Sequence, residues 1–367
     1  MRQIISTNEF NRLLYTSNSE ERKILIGSDL TQLKLEHPIS LSGFDLSQAI
    51  LENVNLNNCN INNCNLAGAS LKKAQLRKVS IEKSNFDNAN FSDAQLTYAS
   101  FRESQLINTN FERANLSKSN LRGYNARKPH QYLDLSSCNL KSANLQGALF
   151  DSHTIFPQGF DPKAAGAYSI ASNTDLSNAD LSFANLFKAH LSGANLSYAN
   201  LTGTKIASAN LNGANLSDAT IVYEKGGWDS KLYANVYLER AILHRATIIG
   251  IKPGNTCMYF DGIDLTEATI INCAFTYSDM NGAKLVNLRL DGTSFSNAKL
   301  RGADFANSSL RGCSFSGADL RGVNFENADL SGASLSGANL TNTDLSKANL
   351  NGVNLTKAVL ENAKLPS

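Results

Sequence analysis

The chain has no run of 18 apolar residues and no basic segment leading into a short apolar one. Neither a membrane-spanning nor a secreted form is expected, and the cytoplasm is the default location. Charge of either sign is scarce: Asp, Glu, Lys and Arg make up 18% and the net charge is +2. This excludes a strongly basic nucleic-acid binder and a highly acidic chain as global descriptions. No glycine-rich phosphate loop follows a strand. The five histidines (His37, His130, His153, His190, His244) are scattered, and none has a partner at metal-ligand spacing. The carboxylates recur without any pair standing apart as an acid–base dyad. No catalytic, cofactor-binding or metal-ligating residues are assigned, and an enzyme is not expected.

What is present is a five-residue period. Every fifth residue from Leu41 to Leu121 is Leu, Ile or Phe, and from Leu265 to Leu365 it is Leu, Ile, Met or Phe. Helices repeat their side chains every 3.6 residues and strands every 2, so neither requires this pattern. A fixed short period marks a solenoid, in which each small unit buries its apolar face by stacking on its neighbours. A unit reads Ala-Asn/Asp-Leu-Ser/x-Gly/x, as in Ala194-Asn195-Leu196-Ser197-Tyr198 and Ala318-Asp319-Leu320-Arg321-Gly322. It resembles the pentapeptide-repeat family. That resemblance implies an all-β fold, a right-handed quadrilateral β-helix with four units per turn. The central residue and the one two before it would point inward, and the other three outward.

A 20-residue turn places residues 20 apart above one another. Phe275, Phe295 and Phe315 share that spacing, as do Phe305 and Phe325, and Phe91 and Phe111. Interior phenylalanine columns are therefore expected, with rings about one strand spacing apart. Cys59, Cys64, Cys138, Cys273 and Cys313 all lie two residues before a centre, where most units carry Ala. They read as small interior thiols rather than disulfides or metal ligands, and Cys257 alone is off register. Ser6-Thr7-Asn8-Glu9 has capping-box spacing and Phe10, Leu13 and Leu14 follow at helical spacing, so a short helix of about residues 7–16 should cover the first coil within an N-terminal cap of 1–27. Residues 28–367 are then expected to form a single β-helix. At the other end Leu355, Leu360 and Leu365 keep register, which predicts an open apolar edge and a tail-to-tail homodimer.

Function should lie where the period breaks, near 122–134, 151–174, 222–236 and 249–263, in loops expected to leave the coil at corners. The longest break holds Phe156-Pro157-Gln158-Gly159-Phe160-Asp161-Pro162 and Ala164-Ala165-Gly166. It resembles an element found in cyanobacterial members of the family, which hints at such a source, and its two Phe and two Pro suggest a loop folded back on the coil wall. The third break carries the single tryptophan, Trp228, with Tyr223, Tyr233 and Tyr237, and the fourth carries Tyr259 and Phe260. Exposed aromatics are frequent interface anchors, so these six residues are candidate partner-binding residues. Lys72, Lys73, Arg77 and Lys78, with Lys83, form a basic collar, the second candidate. No outward aromatic is expected to interleave with it, which disfavours nucleic acid. The leading reading is a non-catalytic, regulatory protein-interaction scaffold that binds an unidentified protein partner through the coil wall and protruding loops. Two alternatives follow from the resemblance: a DNA mimic that binds DNA gyrase, or a secreted bacterial effector. Lys and Arg number eight against seven Asp and Glu in 41–121, and nine against ten in 264–365, which is not acidic enough to imitate a phosphate helix.

Overall fold

The computed structural model describes residues 3–16, 24–35, 38–123, 132–222, 236–250 and 258–366. They fall into two compact units, Met1–Ile170 and Ala171–Ser367. Within each unit the chain winds as a four-sided β-helix. Parallel bridges join residues 20 apart, such as Asn65 to Asn85 to Gln105 in the first unit and Asp304 to Asn324 to Asp344 in the second.

The five positions of a unit each have a physical reason. The central residue is buried, and its N–H donates to the carbonyl one coil further on, as Leu66 does to Asn85 at 2.7 Å. The residue before it bridges to the next coil. Asn and Asp prevail there because the side-chain oxygen accepts the N–H two residues on (Ser92 N to Asn90 Oδ1, 3.0 Å). The amide also ladders between coils, from Asn110 Nδ2 to Asn90 Oδ1 at 3.2 Å. The residue two after the centre takes left-handed φ, +60° at Asn88 and +66° at Gly302, which explains the glycines and asparagines at that corner.

The position two before the centre is an alanine-sized interior slot. Cys59, Cys64, Cys138, Cys273 and Cys313 are all free and buried in it. Burial pushes up the Cys59 thiol, and takes Cys64 to about 11 and Cys138 and Cys313 to about 12, so these four are unreactive. A polar atom in this slot donates to the centre carbonyl 23 residues earlier, as Cys313 Sγ does to Leu290 (2.9 Å) and Thr204 Oγ1 to Leu181 (2.8 Å). Cys257 lies outside the described residues.

All three phenylalanine columns form. Phe295 stacks on Phe315 at 5.0 Å and on Phe275 at 5.3 Å, Phe305 on Phe325 at 5.6 Å, and Phe91 on Phe111 at 5.2 Å. Columns on opposite sides also meet edge-on, with Phe295 and Phe305 at 5.5 Å and 87°. This adds a herringbone that the 20-residue spacing alone does not reveal.

Helix α1 spans Thr7–Thr16. Ser6 Oγ accepts the N–H of Glu9 at 3.2 Å, while Phe10 is buried against Phe44 with centroids 6.0 Å apart. Leu13 and Leu14 rest against the same core. The coil nevertheless starts inside the segment expected to be cap alone. Ile4 bridges Asp29, Ile24 bridges Asp45, and Ile5 and Leu25 are buried.

Nine strands occur among the described residues: β1 Leu133–Asp134, β2 Leu149–Phe150, β3 Thr154–Ile155, β4 Tyr168–Ser169, β5 Thr220–Val222, β6 Val236–Tyr237, β7 Thr247–Ile249, β8 Met258–Tyr259 and β9 Thr269–Ile271. They correct the expected interruptions. Within 151–174 the chain does not simply loop out, because β3 pairs with β1 and β4 with β2, both parallel. Phe156 stacks on Phe160 at 5.6 Å and meets Phe150 edge-on at 5.5 Å, the folding-back expected of that segment. The fourth interruption ends earlier than 263: β8 pairs with β6, and Phe260 and Ile263 are buried. The first and second interruptions meet at Asp151, which accepts the N–H groups of Gly123 (3.1 Å) and His153 (3.0 Å). A Cβ on Gly123 would fall 1.9 Å from the His153 carbonyl oxygen, so only glycine fits there. Arg122 beside it is buried, and burial lowers its pKa to about 10 against the opposing pull of Asp151.

Candidate interaction surface

Two outer surfaces carry the described candidate residues, one in each unit. In Ala171–Ser367 the insertions are absorbed without loss of the ladder. Thr220 pairs with Thr247 and Thr247 with Thr269 through β5, β7 and β9, steps of 27 and 22 residues, after which Asp264 and Lys284 restore a step of 20. On another side the bridging column runs Asn210, Tyr237, Tyr259, Asp279. Tyr237 and Tyr259 therefore occupy wall positions most often held elsewhere by Asn, Asp or Ser. Both are half-buried, and their rings stack at 5.2 Å and 10°. Extended backbone one strand spacing apart holds two rings face to face in this way.

Beside the tyrosines lies an open depression lined by Asn212, Gly213, Glu239, Arg240, Asp261, Gly262 and Asn281. Burial and the neighbouring Asp279 carboxylate raise the Asp261 pKa. Burial also acts on Asp279, but its hydrogen bonds with Asp261 and with Lys299 (2.9 Å) prevail and lower it. Asn281 braces the pair, donating its N–H to Asp261 Oδ1 at 3.0 Å and its amide to Asp279 Oδ1 at 2.6 Å.

Phe260, expected in an exposed loop, is instead a buried coil centre at 3% exposure, edge-on to Phe275 at 6.0 Å. It sits in the core because the coil resumes at β8, and it cannot touch a partner. Tyr223, Trp228 and Tyr233 lie outside the described residues. The structure thus brings Tyr237 and Tyr259 together and removes Phe260 from the set.

In Met1–Ile170 the basic collar is divided among three sides of the coil, with Lys83 alone on the third. Lys72 and Lys73 face Asp93, whose pKa is lowered chiefly by Arg113, bidentate at 2.7 and 3.0 Å, and further by the two lysines. Arg77 and Lys78 lie on the next side, and Arg77 N donates to Asn57 Oδ1 at 2.7 Å. The expectation that no outward aromatic joins the collar is corrected. Tyr98 sits one coil on from Lys78, between Lys78 Nζ (5.9 Å from the ring centroid) and Lys118 Nζ (5.6 Å). The signal was present in the spacing, since 78, 98 and 118 are 20 apart. Among the described residues, no three His, Cys, Asp or Glu side chains group as a metal site, and no helix is long and apolar enough to cross a membrane.

The family profiles that match the chain agree with this architecture. The pentapeptide-repeat profile matches residues 184–221, 289–327, 298–337 and 333–365, and a second profile, the pentapeptide repeat region, matches 54–130. No curated protein matches the chain. Among solved structures it is similar to Rfr23, a pentapeptide-repeat protein from the cyanobacterium Cyanothece 51142, with 22% identity over 41% of this chain and 98% of that one, TM-score 0.28. It is also similar to HetL of Nostoc sp. strain PCC 7120, involved in heterocyst differentiation regulation, with 19% identity over 99% and 98%, TM-score 0.13. A third is QnrB1, a plasmid-mediated fluoroquinolone resistance protein, with 17% identity over 80% and 92%, TM-score 0.13. The two profiles together span more than half of the 367 residues, and the chain belongs to the pentapeptide-repeat family of non-enzymatic repeat proteins.

Proposed function

We propose that the chain is a non-catalytic scaffold in the cytoplasm that binds a partner protein on the outer wall of its second unit. The observation that carries this reading is the Tyr237–Tyr259 stack, two aromatic rings in wall positions most often held by Asn, Asp or Ser. Paired rings of fixed orientation provide contact area at little conformational cost, and the adjoining depression offers amide and carboxylate groups for a polar rim. Residues 223–235 and 251–257 precede the two tyrosine strands in the chain and belong to the same candidate region by sequence. The test is quantitative affinity capture with the wild-type chain, the Tyr237→Ser/Tyr259→Ser double variant and a deletion of 224–235. Loss of the same proteins from both variants is expected, and unchanged partner lists would overturn the reading.

A tail-to-tail homodimer is the second part of the proposal. Leu360 and Leu365 are 36% and 44% exposed, whereas Leu340 and Leu345, one coil earlier, are fully buried. Stacking on a second copy would cover that edge. Light scattering at micromolar concentration should give a dimer that Leu360→Ser/Leu365→Ser converts to monomer, and a wild-type monomer would sink the idea.

A further inference from the structure

The side of the first unit built on Leu56, Leu76, Leu96, Leu116 and Leu145 differs from those flanking it. Its outward side chains are Asn, Gln, Ser, Thr, one tyrosine and the three cations Arg77, Lys78 and Lys118, with no carboxylate at any outward position. The sides next to it carry Glu52, Asp93 and Glu112, and Glu82 and Glu103. Its bridging column runs Asn55, Gln75, Gln95, Asn115, Asn144. Side-chain amides link that column, from Asn115 to Gln95 at 3.2 Å and from Asn144 to Asn115 at 3.3 Å. Lys78 and Lys118 flank the Tyr98 ring, so two ammonium groups are positioned two coils apart, about 10 Å at ordinary strand spacing.

We propose that this face binds an acidic, extended polypeptide segment. Charge complementarity points there, because the outward positions of this side hold three cations and no carboxylate. The spacing agrees: in a polyproline II segment every third side chain lies on one side, about 9 Å apart, close to the Lys78–Lys118 separation. The amide column supplies donors and acceptors for peptide groups, which polyproline II leaves unpaired. Nucleic acid fits less well. Two ammonium groups already lie within 6 Å of the Tyr98 ring centroid, and a base stacking on the ring would have to compete with them. Three cations also fall short of the roughly 6 to 10 phosphate contacts of a typical duplex binder. This surface and its ligand class are separate from the Tyr237–Tyr259 reading, and neither depends on the other.

The test uses the full chain and fluorescence anisotropy with a fluorescein-labelled (Glu-Pro-Pro)4 peptide, against a labelled 12-nucleotide thymidine strand at the same low salt. The peptide should bind, and more tightly than the oligonucleotide. Arg77→Gln/Lys78→Gln/Lys118→Gln should weaken peptide binding at least tenfold. Tyr98→Asn should weaken it about threefold, because it releases the lysines while keeping a residue tolerant of left-handed φ. The control Lys205→Gln/Arg289→Gln/Lys357→Gln, which removes equal charge from the second unit, should change it less than twofold. All the substituted side chains are at outward positions, and unchanged melting curves confirm folding. No measurable peptide binding, tighter binding of the oligonucleotide, or equal loss in the control would overturn the proposal.

Discussion

Two stretches of the second unit answer the same demand differently. From Phe275 to Leu345 the period never breaks, and coils pair through single bridging residues between tight corners. From Thr220 to Ile271, where residues are inserted, pairing widens to strands of two or three residues, with Thr-Ile-Val, Thr-Ile-Ile and aromatic residues in the ladder. An ordinary corner closes with an i to i+3 hydrogen bond, such as Ala303 N to Leu300 O at 2.9 Å, and leaves room for one extended residue per side. Beside an insertion the extended run is longer, and β-branched and aromatic side chains suit it. The interior is indifferent to the change, since Ile221, Ile248 and Phe260 stay buried like Leu300 and Leu310. Insertions therefore alter the wall while the core stays common to both stretches.

The strongest way to break that comparison is to charge the core in each stretch. Leu310→Asp and Ile248→Asp both bury an unpaired carboxylate, at a cost of about 4 kcal/mol or more. Each should open its own coils, because solenoid stability is a sum of neighbouring contacts. Hydrogen exchange would show this as loss of protection centred on the substitution. A wild-type exchange pattern for Ile248→Asp would mean that the interrupted coils do not share the core.

Aromatic packing separates the stretches next. Phe315 meets Phe295, Phe305 and Phe325 at 5.0, 5.7 and 6.1 Å, whereas Phe260 meets only Phe275 among the ring contacts of the described residues. Phe315→Ala should cost about 4 kcal/mol and Phe260→Ala about 3 kcal/mol, the difference reflecting ring pairs worth roughly 0.5–1.5 kcal/mol each. Denaturant melts of the two variants measure it, and equal losses would show that ring stacking adds nothing beyond burial.

The core was legible in the sequence because burial imposes a strict period. Leu, Phe and the alanine-sized slots announce their positions, which is why the phenylalanine columns, the buried thiols and the helix after Ser6 could all be read in advance. The surface was legible only where its residues were placed on the 20-residue turn. Tyr98 does not stand out along the chain, because its partners Lys78 and Lys118 each lie 20 residues, one turn, away. Phe260 keeps the period, five residues before Leu265, but it follows an insertion directly, so a core ring looks like a loop ring unless the register is extended back by one unit. The strand pairing inside 151–174 left no periodic trace, since the step of 21 residues from Leu133 to Thr154 and that of 19 from Leu149 to Tyr168 differ.

A smaller effect tests whether the Tyr237–Tyr259 stack belongs to the wall. Each Tyr→Ser change should cost about 1 kcal/mol, and the double-variant cycle should show a coupling of about 0.5–1 kcal/mol, as for cross-strand aromatic pairs. A coupling near zero would mean the rings merely lie side by side.

The smallest effects are electrostatic, and they have opposite signs in the two stretches. Asp291, in the uninterrupted coils, is held down to about 2, first by its hydrogen bond from Arg311 (2.8 Å). A depressed carboxylate contributes stability above its ordinary value, about 4, and loses it as pH falls through about 2. Asp291→Asn should therefore lower the melting temperature at pH 7 and leave it unchanged near pH 2. The contribution is modest, below about 1 kcal/mol, because Arg311 is half-exposed. Asp261, in the interrupted coils, is raised by burial and by Asp279. Its contribution is present below the ordinary carboxylate value and is lost as pH rises through its raised folded value. At pH 7 the folded wall holds two facing carboxylates, so Asp261→Asn should raise the melting temperature there, and the gain should vanish near pH 3. An Asn carbonyl can still accept the Asn281 N–H, so the variant isolates the charge. If both variants shifted the melting temperature in the same direction at pH 7, the two walls would not differ in their electrostatics, and the depression beside Tyr237 would lose its distinguishing feature.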